Sequence, residues 1–378
     1  MSAPRVAIAC RWVEGVSGAT TIILEQARRL AELGWEVHVY GERLDRAAIQ
    51  RAGARPHHVL GLPWGSHVKR RLFAWFFERL VRHKGYDLVW GHGDTFHQDV
   101  LSLHNCVHAA HEAIFGAPLP PSVGVGHVHE RMLRSRAFRL LIANSDMMRA
   151  DVMKRFGVPA ELVTTIYPGH DPRRFNPEGR GMGAAVRAQL GVRPGEVLVG
   201  VITSGDFAKR GIAHFLAALG RLSPAAREKV RAVVVGQESR LGPYERIAGD
   251  LGLGSRVSFL PPVNDVERYF HALDVYVHPA LYEEFGMSVQ EAMACGVCVL
   301  ASKRVGAAEL LRGEARETLL DKPDERGLAA GLERLILEPE LRRRWAEAGP
   351  LSCRDNTWDA NFKKTMAALR PLLESRTA

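Results

Sequence analysis

Two glutamates eight positions apart, Glu283 and Glu291, bracket a glycine loop in the run PALYEEFGMSVQEAMACGVCVLA, residues 279–301. A helical pattern starts just after Phe285 and Gly286, and Ser288 is a residue type that caps helix N-termini. The amides of Met287, Ser288 and Val289 then point out of the helix start, where an anion can sit. Glu291 falls in the first turn and Glu283 in the loop ahead of it. A sugar nucleotide needs this arrangement, because its diphosphate is anionic and its ribose and hexose offer hydroxyls for carboxylates to accept from. The same residues also fit an ordinary helix N-terminus with a first-turn glutamate. A cationic pair, Lys209 and Arg210 in GDFAKRG, directly follows the apolar run VLVGVITS, residues 197–204. At the C-terminal end of a strand such cations can meet a diphosphate; elsewhere a Lys-Arg pair is solvated surface.

These groups need a scaffold, and the chain repeats one rhythm. VAIAC, an apolar-periodic helix over 19–33 closed by Gly34, and the alternating strand WEVHVY form a β-α-β unit. Its first loop carries Gly15 and Gly18. The loop lacks the G-x-G-x-x-G spacing, so its glycines read as close backbone approach to a phosphate or sugar rather than as a dinucleotide signature. Strands at YDLVWGHG, VLSL and RLLIANS follow. After a Pro/Gly-rich basic stretch at 163–177 the alternation restarts with VLVGVITS, AVVVGQ, VSFLPP, VYVHPA and VCVLAS. Strands alternating with helices imply parallel sheets, with ligands at the strands' C-terminal ends. The last segment, TWDANFKKTMAALRPLLES, is an amphipathic helix.

A length of 378 residues, 46% hydrophobic and 25% charged, fits a soluble protein of two domains. No apolar run approaches a membrane span, and MSAPRVAIAC has no signal-peptide pattern, which points to the cytoplasm. Five cysteines in mostly apolar contexts fit free buried thiols. Cys295 and Cys298 form one C-x-x-C with no second pair, and His104, His108 and His111 lack a carboxylate or cysteine partner set, so neither reads as a metal site. His104, at a strand's C-terminal end, is the one placed for a ligand cleft.

The net charge is +9, and residues 1–167 hold +6 of it, from 21 Lys and Arg against 15 Asp and Glu. An acidic partner is expected there. The stretch GSHVKRRLFAWFFERLVRHKG, residues 65–85, interleaves aromatics with cations, the pattern of a helix lying on an anionic membrane surface. The same pattern also suits an amphipathic helix packed on its own sheet, and both can hold at once.

Taken together, the two Rossmann-like halves, the glycine loop, the linker YPGHDPRRFNP and HPALYEEFG…EAMACG resemble the GT-B retaining glycosyltransferases of family 4. Within that family the resemblance is strongest to lipopolysaccharide-core glucosyltransferases acting on inner-core heptose. It covers nearly the whole chain. Two departures stand out: Glu284 occupies a position where the family usually has Gly, and the usual Arg several residues before the phosphate Lys is replaced by Gly205. The resemblance implies an α/β GT-B fold with two domains facing a central cleft. It divides the chain into an acceptor domain at 1–167, a nucleotide-sugar domain at 168–355 and a helix at 356–378 crossing back. It further implies Glu291 on the ribose, Glu283 on the transferred sugar, and Lys209, Arg210 and Arg174 on the diphosphate with the backbone of Phe285, Gly286, Met287 and Ser288. Val263 would lie near the base, and His104 near the donor sugar or acceptor hydroxyl. Retaining transfer of a hexose from a UDP-sugar to a core glycan follows, with no metal, no other cofactor and no nucleic-acid partner. Another UDP-sugar-dependent family-4 transferase, moving N-acetylglucosamine or galactose to another glycan acceptor, a sugar-nucleotide epimerase of GT-B fold and a non-enzymatic binding protein are the alternatives.

Overall fold

The computed structural model describes residues 3–15, 17–61 and 66–377. The chain forms two compact units, Met1–Pro168 with Trp358–Ala378, and Gly169–Thr357.

The first unit is built on a seven-stranded sheet. In sheet order its strands are Arg55–His58, Glu36–Gly41, Arg5–Ala9, Leu88–Gly91, Val100–Leu103, Leu140–Ala143 and Val163–Thr165, each paired parallel to its neighbour. Pro56 is tolerated because its strand is at the sheet edge, where a missing N–H costs no ladder bond. The helix Gly18–Glu32 starts one residue earlier than its apolar period suggests. Ser17 caps it, its side chain accepting from the Thr20 amide at 3.1 Å. The C-terminal helix Trp358–Thr377 adds Leu369, fully buried, to the core formed by Val6, Ile8, Val37 and Val39.

The expected basic helix at 65–85 runs Ser66–Val81, and Gly65 lies outside the described residues. Its two faces separate as an amphipathic period requires. Phe73 and Phe77 are fully buried with Tyr40 and Tyr86, while Trp75 is 54% exposed and carries Arg79 against its ring. Burying each phenyl ring is worth about 2–3 kcal/mol of transfer free energy, so the helix is a core element on one side. Arg70 departs from the expected cationic flank, because it pairs with the buried Asp94.

The second unit carries a six-stranded parallel sheet in the order Val257–Leu260, Val230–Val235, Val197–Ile202, Val275–His278, Cys298–Ser302 and Leu319–Leu320. Val197–Ile202 is buried at every position, the near-continuous apolar run of a strand covered on both faces. The helices Glu325–Leu337 and Pro339–Cys353 close one side, burying Leu328, Leu332 and Trp345. All five cysteines are free and buried.

Candidate functional site

In the second unit the C-terminal ends of the two central strands feed the loops that hold the charged residues. After Ile202 the chain turns through 203–211 before the helix Ile212–Gly220. Asp206 adopts a left-handed φ of 55°, and its side chain accepts from the Lys209 amide at 3.1 Å, tightening the turn. Gly211 has φ 69°, and a Cβ there would sit 2.0 Å from the Pro279 carbonyl oxygen. That contact and the Leu281 amide bond to the Lys209 carbonyl, 3.2 Å, hold the cationic loop against the 279–286 segment.

That segment runs beside residues 304–307. The Glu283 amide donates to Arg304, Gly306 donates back to the Glu283 carbonyl, and Ala307 donates to Phe285 at 2.7 Å. The extended pairing lasts until Gly286, whose φ of 86° turns the chain into the helix Met287–Ala294. The sequence expectation placed the cap at Ser288. Gly286 is the N-cap instead, because the left-handed turn that ends the pairing comes one residue before the helix and suits glycine. Glu291 consequently falls in the second turn. The Val289 amide bonds the Gly286 carbonyl, so Met287 and Ser288 supply the outward amides.

Beneath this helix start lies a buried polar chain. The Tyr276 hydroxyl is 2.7 Å from Ser288 Oγ, 2.9 Å from His278 Nδ1 and 3.2 Å from the Ile202 carbonyl. His278 Nε2 stands 3.6 Å from Glu283 Oε2. Burial drives the His278 pKa down to about 3, with Arg210 and Lys209 adding to the effect, so the ring is neutral near pH 7.

The four charges above it are paired. Arg210 meets Glu283, and Lys209 Nζ lies 2.8 Å from Glu284 Oε2. Arg210 Nε also donates to Thr203 Oγ1 at 3.2 Å. A second group surrounds Glu291. Arg174 Nη2 lies 2.6 Å from Glu267 Oε2 and 3.5 Å from the Asn264 carbonyl, next to Val263. Burial raises the Glu291 carboxyl to about 7, Arg174 opposes that rise and Glu267 adds to it. Arg174 therefore stands with Glu291 and Val263, while Lys209 and Arg210 stand with Glu283 and Ser288.

The comparisons with known proteins decide what this arrangement belongs to. Residues 16–174 match the family described as Glycosyltransferase Family 4, and residues 187–351 match Glycosyl transferases group 1. The chain is a GT-B glycosyltransferase. The transferase is 28% identical to the D-inositol 3-phosphate glycosyltransferase of Thermobifida fusca, over 94% of its own length and 89% of that protein. It is 26% identical to the protein of the same name from Frankia alni, over 94% and 95%. Among solved structures it superposes on WaaG, a glycosyltransferase involved in lipopolysaccharide biosynthesis, with a TM-score of 0.82 at 20% identity, covering 95% and 98% of the two chains. It superposes on Anabaena HepE in complex with UDP and glucose at 0.77 and 20%, covering 97% and 100%.

In the first unit of the transferase, Gly15 has φ 64° and precedes the cap Ser17 by two residues, while Gly18 opens the helix. His104 Nε2 is 2.7 Å from His92 Nδ1, the rings stacked at 5.1 Å. Burial holds His92 well below its ordinary pKa, with the neighbouring His104 adding to the effect. The other two histidines of the triplet go elsewhere: His108 meets the Phe156 ring edge and His111 bonds the Ala117 carbonyl. Sequence reasoning missed His92 and Asp94 in YDLVWGHGD; their only local signal is that they follow a strand. The Pro/Gly loop at 116–126 rims a cavity of about 280 Å³ with His127, Glu130, Arg134 and Arg155 on its wall. Among the described residues no helix is long and apolar enough to cross a membrane.

Proposed function

We propose that this transferase moves a hexose, glucose by preference, from a UDP-sugar to a glycan acceptor with retention at the anomeric carbon. The observation that carries the reading is the placement of Lys209 and Arg210 beside the helix start at Met287 and Ser288, with Glu283 on one side and Glu291 on the other. UDP-sugar donation is supported by HepE, whose structures hold UDP and UDP-glucose.

As the sugar gains oxocarbenium character, negative charge builds on the departing diphosphate. Lys209, Arg210 and the two outward amides stabilise that charge where it develops. Lysine and arginine supply the positive charge that a divalent cation provides in other transferases. Glu283 accepts from hydroxyls of the transferred sugar, and Glu291 from the ribose, with Arg174 and Val263 at the nucleotide end. The attacking hydroxyl passes its proton to the leaving phosphate oxygen, so no strong protein base is required. His104 is the residue proposed to meet the donor sugar or the acceptor hydroxyl.

A lipopolysaccharide core oligosaccharide is the proposed acceptor, supported by the likeness to WaaG. A phosphorylated cyclitol is the second reading, favoured by the curated relatives that act on inositol 3-phosphate. The transferase works at the inner face of the cytoplasmic membrane. There Trp75 and Leu80, both exposed, with Arg71, Arg79 and Arg82 contact anionic headgroups.

The test is incubation with UDP-glucose, UDP-N-acetylglucosamine or UDP-galactose and either acceptor class, with mass spectrometry and anomeric NMR of the product. Transfer with retention supports the proposal, and the productive acceptor chooses between the readings. An epimerised donor with no transfer points to an epimerase, and nucleotide binding without turnover to a binding protein; either rejects it.

A further inference from the structure

We propose that Glu284 sets the affinity of this site for its donor by occupying Lys209 whenever no diphosphate is there. This rests on the donor reading above and adds a residue that limits it.

The Glu284 side chain is 4% exposed and that of Lys209 19%, at a separation of 2.8 Å. The pair is therefore held away from bulk water, where opposite charges attract strongly and either one alone is costly. With Arg210 on Glu283, the two cations and two carboxylates sum to zero. A diphosphate entering such a site gains little from net charge. It gains only if a cation leaves a carboxylate for a phosphate oxygen.

The structure favours Lys209 as that cation. Arg210 meets Glu283 through Nη1 and bonds Thr203 through Nε, so two of its guanidinium nitrogens are engaged. Glu283 is held on both sides of its peptide by Arg304 and Gly306, and His278 stands beside its carboxylate. Lys209 has a flexible four-carbon stem and three donors on one ammonium, so it can swing from Glu284 to a phosphate without moving the backbone. The Lys209 carbonyl and amide stay fixed by Leu281 and Asp206 throughout. Glu284 also lies near enough to raise the proton affinity of Arg210 against the lowering effect of burial, so its charge is felt by both cations.

Glutamate at this position supplies an internal carboxylate that competes with the phosphate. A glycine there has none to offer. Glu284 thus weakens ground-state donor binding, and after transfer it retakes Lys209 and helps nucleoside diphosphate leave.

The test is calorimetric titration of the full chain with UDP for the wild type, Glu284→Gln, Lys209→Met and the double variant. Glu284→Gln is expected to bind UDP on the order of tenfold more tightly. In the Lys209→Met background the competition for Lys209 is gone and the same change should have a smaller effect, what remains acting through Arg210. Without UDP, Glu284→Gln should melt at a lower temperature than the wild type, yet its melting temperature should rise further when UDP is added. If Glu284→Gln does not fold, Glu284→Asp, which lengthens the pair, takes its place and should show a smaller tightening. Unchanged or weaker UDP binding by the variant overturns the proposal, leaving Glu284 as a group that merely holds Lys209. If the wild type binds none of UDP, ADP and GDP, the donor reading itself fails, a result distinct from an unresponsive Glu284 variant.

Discussion

The hydroxyls of Tyr276 and Ser288 lie 2.7 Å apart, linking the central strand Val275–His278 to the second residue of the helix Met287–Ala294. Tyr276 also reaches His278 and the Ile202 carbonyl, so one buried oxygen ties three elements together. Tyr276→Phe keeps the ring and strands these partners. It should cost about 2 kcal/mol of stability, read from the denaturant midpoint, and weaken UDP binding through the displaced Ser288.

Lys209→Ala removes the cation proposed to meet the developing diphosphate charge. Turnover should fall by a barrier increase of roughly 2 kcal/mol or more. A single-turnover measurement checks this, and near-wild-type activity would take Lys209 out of that role.

The Glu291 carboxyl, raised to about 7 in the folded chain, makes stability depend on pH, and with it the proposed donor binding. A raised folded pKa means that the folded state holds the proton more tightly than the unfolded chain. Its contribution is therefore complete below about 4.5 and is lost as pH rises through about 7, a change of about 3 kcal/mol. Glu291→Gln should flatten the fall in stability between these values. It should also weaken donor binding at pH 8, where the ionised carboxylate is the form proposed to accept from the ribose. Melting curves and UDP titrations at pH 5 and pH 8 check both.

Gly211 and Gly191 have similar left-handed φ values, 69° and 64°, but different surroundings. Gly211→Ala places a methyl 2.0 Å from the Pro279 carbonyl and should cost more than about 3 kcal/mol. Gly191→Ala meets nothing within 4 Å and should cost only about 1 kcal/mol for its backbone conformation. Equal losses in the two denaturation curves would show that the loop contact with Pro279 has no energetic weight.

Arg70→Ala strips the ion-pair partner from the buried Asp94, which also accepts from the Arg11 amide at 3.2 Å. The loss should be about 3 kcal/mol, and Arg70→Ala with Asp94→Asn should recover part of it. Arg71→Gln with Arg79→Gln and Arg82→Gln should leave stability unchanged while releasing the protein from anionic vesicles. Salt-insensitive vesicle binding by that triple variant would leave the helix as a core element only.

Local pattern alone determined much of this protein. Apolar strands alternating with helical periods specify two parallel-sheet halves, because period and burial are short-range properties of the chain. The Glu283 to Glu291 spacing, the Lys209-Arg210 pair and the Gly15 and Gly18 loop were legible for the same reason: each functional group sits within a few residues of a strand end or helix start. What only the tertiary structure decided is which groups meet. Glu284, one more loop carboxylate in the sequence, faces Lys209 across 75 positions, and Arg70, one cation among many, turns inward to Asp94. Gln290, on the helix Met287–Ala294, accepts at 2.6 Å from Asn356, 66 positions away. These pairings depend on loop paths set by Gly211 and Gly286 and by contacts between distant strands. No window of neighbouring residues contains that information.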